Sequence, residues 1–230
     1  YILRNIMSRS ATPLRKPRFE RHLPEIRRQR LVEATIRCLK RFGHEGLSVR
    51  RISAEAGVSI GLINHHFPTK DALVAESYRH FNAQLDEVIR RHVERAPSAP
   101  RERLRALFEA VFSPPNLDKD VLTVWIVLWG LYHHSPAIRK VHDEAYGGYM
   151  ELLKELLADL QKESGRFRIS VRLAAIGAQA LLDGLWLEWC LDPGNFSPQE
   201  AVALCESWVD SLHRPPTRAR PKRRARRKVT

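Results

Sequence analysis

The chain has 230 residues, of which 43% are apolar, so it is large enough to bury a core and is not expected to be a disordered polymer. Its longest strongly apolar stretch, residues 121–132, is too short to cross a bilayer, and we expect no membrane segment. Lys and Arg total 39 against 26 Asp and Glu, which predicts a basic protein with an acidic partner.

The three cysteines indicate the cellular compartment. Cys38, Cys190 and Cys205 are odd in number, widely spaced and set within apolar helical patterns. This arrangement is typical of reduced core residues in a cytosolic protein rather than of a disulfide framework or a zinc site. We therefore expect a cytoplasmic location, no metal site and no cofactor.

The charge is unevenly distributed and suggests how the chain is divided. Residues 1–24 hold six basic and one acidic side chain, residues 25–70 nine and four, residues 71–213 fifteen and twenty-one, and residues 214–230 nine and none. We predict a flexible basic arm, a basic domain suited to a polyanion, a larger acidic domain and a disordered Arg-rich tail, in that order. The tail is either simply solvated or makes nonspecific phosphate contacts.

Three helices are predicted in the basic domain. Apolar residues recur at steps of three and four from residue 31 to residue 42, which predicts a first helix ended by glycine. Ser48 can cap a short second helix that ends at Gly57, and Ser59 can cap a third over residues 60–66. Two short helices joined by a tight glycine turn and supported by a longer one form a helix-turn-helix.

The segment beginning at Ser48, SVRRISAEAGVSIGLINHHFPTKDAL, resembles the DNA-binding signature of the TetR family of transcriptional regulators. The resemblance implies that the third helix enters the major groove and that Ser48, His65 and Lys70 contact phosphates. The family usually has Tyr where this chain has Asn64, and Asn can bond either a phosphate or an adenine edge.

The residue types themselves favour the same roles. Gly61, near the start of the recognition helix, allows its backbone to approach the duplex closely, and the amides at that helix end attract phosphate. Lys70 lies in the first turn of the next helix, where its charge opposes the helix dipole, which indicates an external anion. Arg50 can reach the DNA backbone or be solvated. The candidate DNA-binding residues are Ser48, Arg50, Ser59, Ile60, Gly61, Asn64, His65 and Lys70.

The acidic domain is predicted to be a second helical bundle. Its candidate helices, separated by Pro- and Gly-containing segments, cover residues 70–95, 101–112, 119–134, 137–162, 169–191 and 197–212. The helix over 169–191 is apolar all round and must be covered on every side. Its simplest cover is the same helix and the last helix of a second copy, in an isologous four-helix dimer interface, although a buried core helix in a monomer is an alternative. The predicted fold class is all-α.

Aromatic side chains and one carboxylate in this bundle suggest a cation site. Trp125, Trp129 and Tyr132 lie at steps of four and three on one helix face, and Asp183 and Trp186 lie three apart on another. Aromatic faces with a carboxylate bind alkylammonium ions through cation–π attraction. The alternative is that these are large core side chains, with Asp183 satisfied by a neighbouring hydroxyl or a helix N-terminus.

Two segments in the same region, WIVLW from Trp125 and LDGLWL from Leu182, resemble the effector domain of the BetI type of TetR regulator. That resemblance implies a small-molecule effector, choline or a related quaternary ammonium ion. The candidate ligand-binding residues are Trp125, Trp129, Tyr132, Asp183 and Trp186.

The expected function is sequence-specific transcriptional regulation, most simply by a repressor whose operator affinity changes with an effector. The expected partners are a second copy of the chain and a DNA operator that is an inverted repeat. We expect no enzymatic activity and no catalytic residue, because no nucleophile elbow, phosphate loop or metal motif is present. The alternative is a ligand-independent, nonspecific DNA-packaging protein, which would coat DNA with little sequence preference.

Overall fold

The computed structural model describes residues 24–43 and 46–213, which are helical almost throughout. Successive helices in these ranges are α1 Pro24–Phe42, α2 Val49–Ala56, α3 Ile60–His66, α4 Lys70–Arg95, α5 Pro100–Val111, α6 Lys119–Leu131, α7 Pro136–Ser164, α8 Val171–Leu191 and α9 Pro198–Ser211. The described residues form no strand, and a single β-bridge pairs Phe167 with His213. The all-α prediction is confirmed: a helix-turn-helix domain precedes a helical C-terminal domain. No helix in residues 24–43 and 46–213 has both the length and the hydropathy to cross a membrane.

The ends of several helices differ from the predicted ones by one to three residues, because capping interactions rather than apolar spacing determine them. Helix α8 begins at Val171, two residues late, because the side chain of Ser170 caps it. Helix α6 stops at Leu131 rather than at 134, because the amide of His134 bonds the Leu131 carbonyl in a tight turn. Pro24, assigned to the basic arm, begins α1. Residues 1–23 and the predicted tail, 214–230, lie outside the described ranges.

The helix-turn-helix is held together by a small apolar core and by polar contacts around it. Ile52 of α2 and Ile63 of α3 are buried within this core. Gly57, between α2 and α3, has a φ of 65°, a left-handed conformation that residues with a Cβ rarely adopt, and its amide bonds back into α2. Arg51 donates to the Gly46 carbonyl at 2.6 Å, so it supports the loop after α1.

Helix α4 connects the two parts of the fold. Its 26 residues extend over about 39 Å. Near its start it packs on α1, where the hydroxyl of Ser77 is 3.4 Å from the Val32 carbonyl. Further along it packs against α5 and α7. The same helix therefore contacts the DNA-binding domain at one end and forms part of the C-terminal bundle at the other.

Helices α8 and α9 cross closely and leave apolar side chains uncovered. A Cβ placed on Gly177 of α8 would lie 2.6 Å from the Trp208 ring of α9, so only glycine allows this approach. Leu173 and Ile176 of α8 are 46% and 40% exposed, and Leu204 of α9 is 51% exposed. Within one chain α8 is thus not covered on every side, although α5, α6, α7 and α9 all pack against it.

Candidate DNA-binding surface and effector cavity

The predicted DNA-binding residues all lie at the protein surface. Seven of the eight are exposed and Lys70 is half-buried. On α3, Ile60, Gly61, Asn64 and His65 share one face because their spacing follows the helical repeat, while Ile63 on the opposite side is buried. The structure therefore gives α3 one face for the core and one for a partner.

Hydroxyl side chains cap α2, α3 and α4 in succession. The Oγ atoms of Ser48 and Ser59 accept hydrogen bonds from the amides of Arg51 and Leu62 at 3.3 and 3.2 Å. Thr69 caps α4 in the same way at 3.0 Å. A capping oxygen accepts one amide hydrogen, and its own hydroxyl hydrogen remains available to a phosphate.

The cations on this surface differ in what they bind. Arg37 pairs with Glu55 at 2.7 Å, and Arg51 is engaged with the loop after α1. Among residues 24–43 and 46–213, neither Arg50 nor Lys70 has a carboxylate oxygen within 4.0 Å. Arg50 and Lys70 are therefore among the cations that the described part of the fold leaves available to an anion.

A cavity of about 620 Å³ lies between α4, α6, α7 and α8. Trp125 and Trp129 line it from α6, and Asp183 and Trp186 line it from α8. The indole nitrogen of Trp186 donates to the Asn116 carbonyl at 3.0 Å, which fixes the orientation of that ring. Four of the five predicted ligand-binding residues therefore share one cavity.

Tyr132, the fifth, does not line the cavity. It follows the last residue of α6, where the chain turns towards α7, and its hydroxyl donates to Asp143 at 3.0 Å. Its ring packs edge-on against His142, with centroids 4.9 Å apart. Tyr132, the C-cap of α6, thus lies behind a cavity residue, and its role as a ligand-binding residue stays a prediction.

Aromatic residues that the sequence reasoning missed complete the wall. The ring of Trp125 lies 5.5 Å from Trp129 and 5.7 Å, edge-on, from Tyr78 of α4. From α7, His142 stacks on Tyr146 with centroids 5.9 Å apart, and both line the cavity. The spacing of Tyr78 from later cavity residues of α4 follows the helical repeat, but that repeat alone does not separate a cavity wall from a core.

A hydrogen bond across the cavity wall joins α4 to α7. The hydroxyl of Tyr78 is 2.8 Å from Nδ1 of His142. Burial raises the pKa of Tyr78 and lowers that of His142. The pair is therefore a protonated phenol and a neutral imidazole near neutral pH, and it adds no positive charge to the cavity.

Two of the carboxylates at the cavity are paired with arginines. Asp86 lies 2.6 Å from Arg90, one turn later on α4. Glu144 of α7 lies 3.8 Å from Arg79 of α4. In each pair the arginine partly neutralises the carboxylate, so neither carboxylate presents a full charge to a ligand.

Asp183 is different, because no cation in the described ranges lies within 4.0 Å of its carboxylate. Its Oδ1 accepts a hydrogen bond from the Gln179 amide at 2.8 Å. Asp183 itself is exposed, although the surrounding protein partly desolvates the carboxylate and raises its pKa. The cavity thus combines aromatic rings with one uncompensated negative charge.

The structure gives the cysteines no site chemistry. All three are buried and free. Burial raises the pKa of Cys190 to about 11 and that of Cys205 to about 12, so both remain thiols. No cluster of three or more potential metal ligands occurs in the part of the chain that the structure describes.

Comparison with known proteins gives matches to both parts of the chain. Residues 31–77 match the bacterial regulatory proteins of the tetR family, and residues 100–214 match the C-terminal part of the BetI-type transcriptional repressors. The HTH-type transcriptional regulator BetI of Burkholderia thailandensis is 33% identical over 191 residues, which are 83% of this chain and 95% of that protein. BetI of Paraburkholderia phymatum is 31% identical over 188 residues, covering 82% and 93%.

Solved structures show the same fold. A transcriptional regulator from Pseudomonas aeruginosa PAO1 is 49% identical, with a TM-score of 0.79, over 85% of this chain and 94% of that one. A transcriptional regulator from Saccharomonospora viridis, solved in complex with choline, is 24% identical, with a TM-score of 0.70, over 81% and 96%. At that identity the second likeness shows the fold alone.

Proposed function

Because the chain belongs to the TetR family of transcriptional regulators and has a BetI-type C-terminal domain, we propose that a small organic cation in the cavity weakens its binding to an inverted-repeat operator. The protein itself is a transcriptional regulator, and regulators of this family bind DNA and typically dimerise. This membership favours regulation over the nonspecific packaging of DNA. The observation that carries the effector proposal is the unpaired carboxylate of Asp183 in an aromatic cavity.

We propose that α3 lies in the major groove. Two copies of α3 in a dimer would read half-sites centred about one helical turn apart, roughly 34 to 36 Å. Phosphate contacts are assigned to the capping hydroxyls and the cations, and base-edge contacts to the exposed face of α3. The first set is Ser48, Arg50, Ser59, His65 and Lys70, and the second is Ile60, Gly61 and Asn64.

The proposed dimer interface is formed by α8 and α9. Leu173, Ile176 and Leu204 are exposed in the single chain, and a second copy related by twofold symmetry would cover them. Each fully buried Leu or Ile side chain contributes about 1.5 to 3 kcal/mol relative to an exposed one. Apolar side chains on two adjacent helices therefore favour a four-helix interface.

The cation is proposed to bind between the aromatic wall and Asp183. A desolvated ammonium over an aromatic face gains about 0.5 to 2 kcal/mol per ring. Trp125, Trp129 and Trp186 provide such faces, and Asp183 provides the counter-charge. Choline is the first cation to test, since the matched relatives include BetI regulators and a structural neighbour contains choline.

The ligand and the operator must each lower the affinity of the protein for the other. An effector shifts the protein between two states only by its difference in affinity for them. If choline weakens operator binding, the operator must weaken choline binding by the same factor. Measuring both factors is therefore an internal check on the mechanism.

The proposal is tested by selecting an operator from random DNA and titrating the protein with three ligands. Calorimetry should show binding of choline and betaine aldehyde, but not of the choline analogue in which carbon replaces nitrogen. Both cations should release the selected DNA. Equal binding of the neutral analogue would return the aromatic residues to a purely structural role, and the absence of a selected sequence would contradict operator recognition.

Replacing Lys70 with Ala is expected to weaken binding to every DNA sequence. Lys70 has no carboxylate partner in the described ranges, so it is assigned to a phosphate. Loss of one phosphate contact should reduce the slope of log affinity against log salt by about one. Lys162→Ala on α7, which removes an equal charge that is 2.7 Å from Asp159, is the matched control and should leave the slope unchanged.

Replacing Gly61 with Ala is expected to separate folding from DNA binding. The added Cβ would meet only Ser59 Oγ at 3.9 Å, so the free protein can accept it. Ala in a helix should raise the free energy of unfolding by up to about 1 kcal/mol, while the methyl group obstructs the approach of DNA. Gly147→Ala, at an open position of α7, should stabilise without affecting DNA binding. Unchanged operator affinity in Gly61→Ala would refute the close approach.

Cation affinity is expected to fall as the pH is lowered. Burial raises the pKa of Asp183, so its carboxylate takes up a proton at a higher pH than an ordinary aspartate. Only the ionised form attracts a cation, so affinity should fall through this pKa, approaching about tenfold per pH unit below it. Burial lowers the pKa of His142, so this imidazole takes up its proton at a lower pH than an ordinary histidine. Calorimetry across pH should show proton release on binding, and a flat profile would remove Asp183 from the site.

A further inference from the structure

A series of charged contacts runs from the cavity wall to the DNA-binding domain. At the cavity, Nη2 of Arg79 lies 3.8 Å from Oε2 of Glu144. The other nitrogen of Arg79, Nη1, contacts Oε2 of Glu76, whose second oxygen is 3.5 Å from Nη2 of Arg28. Glu76 therefore bridges two arginines, one at the cavity and one on α1.

Arg28 in turn holds the end of the recognition helix. Its Nη1 donates to the carbonyl of His66 at 3.3 Å, and its guanidinium carbon lies 4.3 Å from the centre of the Phe67 ring. His66 is the last residue of α3 and Phe67 is its buried C-cap. A cation at this end is favoured both by the helix dipole and by the aromatic face. Arg28 of α1 therefore contacts the C-terminal end of α3 directly.

This arrangement crosses three helices, whereas many other ion pairs in the described ranges join residues three or four apart on one helix. Within those ranges, no other series of ion pairs connects a cavity residue to α3. Each pair is partly exposed and is therefore weak by itself. Weak contacts are sufficient to couple the cavity to the DNA-binding domain, because coupling between two sites commonly changes affinity by only about 5- to 150-fold.

We propose that Arg28 is a positioning residue for the recognition helix and that Glu76 transmits the state of the cavity to it. A cation in the cavity, which Glu144 also lines, competes with Arg79 for that carboxylate. Arg79 then pairs more fully with Glu76, which holds Arg28 less firmly, and the end of α3 can shift. The effect of the cation rests on the proposed function, whereas the dependence of α3 on Arg28 does not.

The first experiment needs no ligand. Operator affinity is measured for Arg28→Gln, Glu144→Gln and the double variant, with thermal unfolding to confirm that each folds. Substitutions at distant, independent sites add to within about twofold. We expect Glu144→Gln to alter operator affinity at least about threefold in the wild-type background and to have little effect once Arg28 is Gln. Additivity within that twofold margin would overturn the proposal.

A matched control uses the same helix as Glu144. Glu151 of α7 pairs with Lys154 at 2.6 Å and does not line the cavity. Glu151→Gln removes the same charge, and its effect should simply add to that of Arg28→Gln. If Glu151→Gln shows the same non-additivity as Glu144→Gln, the coupling is a general charge effect and not this series of contacts.

The second experiment measures the coupling itself. In Glu76→Gln, the factor by which saturating choline lowers operator affinity should fall at least about fivefold. Glu87→Gln, on the same helix and paired with Arg91 at 3.0 Å, should keep the wild-type factor. An unchanged factor in Glu76→Gln, or an equal loss in Glu87→Gln, contradicts the link. If no cation binds the wild type, the proposed effector is wrong, and the ligand-free experiment still decides the role of Arg28.

Discussion

Replacing Asp183 with Asn is expected to reduce the affinity for choline by up to about fivefold, because Asp183 is exposed in the free protein and an ion pair at an exposed position contributes up to about 1 kcal/mol. Asp183 is the one charged cavity residue without a partner of opposite charge in the described ranges. The other cavity carboxylates, Asp86 and Glu144, are paired with arginines and cannot replace it. Asn keeps the shape of the side chain and can still bond Gln179. Calorimetry at neutral pH measures the loss, and operator affinity is followed in parallel to recognise misfolding.

Glu188→Gln is the matched control for this substitution. Glu188 lies on the same helix, is exposed, and does not line the cavity. Removing its charge changes the net charge of the protein equally. Choline affinity should stay within about twofold, since Glu188 lies outside the cavity and solvent screens its charge from the ligand. Equal losses in the two variants would indicate a general electrostatic effect, and no loss in Asp183→Asn would exclude it as the counter-charge.

Replacing Gly177 with Val is expected to destabilise the protein and to weaken the dimer. The new Cβ would lie 2.6 Å from the Trp208 ring, so α8 and α9 must separate or Trp208 must leave its position. Overpacking of this kind typically costs about 1 to 3 kcal/mol. Because both helices form the proposed interface, a change in their crossing also disturbs the contact with a second copy. Thermal unfolding and sedimentation measure the two effects.

Gly147→Val distinguishes overpacking from the intrinsic cost of a β-branched residue in a helix. Gly147 lies within α7, and a Cβ there would meet nothing within 4 Å. This variant should unfold near the wild-type temperature and sediment as the wild type does. If Gly177→Val also keeps both properties, neither folding nor dimerisation depends on the close approach of α8 and α9.

The DNA-binding surface could be anticipated because its determinants are local in sequence. Ser48, Ser59 and Thr69 each precede a helix and cap it through a side-chain oxygen, as their positions in the sequence indicate. Gly57 ends α2 in the left-handed conformation that its residue type allows. These capping bonds span three residues, so the sequence was sufficient to predict the helix that is proposed to enter the major groove.

The cavity could be anticipated only in part because it is assembled from distant segments. Trp125 and Trp129 are one helical turn apart, and their shared face was visible in the sequence. Tyr78 and His142, in contrast, meet across 64 positions of chain through the packing of α4 on α7. Tyr132 has the helical spacing of Trp125 and Trp129 but contacts Asp143 and His142 rather than lining the cavity. Periodicity identifies the buried side of a helix but not which buried side chains border an empty space.

The shared use of α4 has a consequence for how relatives of this protein diverge. Its Ser77 packs against the DNA-binding domain, and its Tyr78, the next residue, lines the cavity. A substitution here must preserve operator recognition and ligand binding at once. Tyr146 on α7 and Asp183 on α8 line the same cavity, and neither helix packs extensively on the DNA-binding domain. Descendants that acquire a new inducer should therefore change first at the α7 and α8 wall, while α4 evolves slowly.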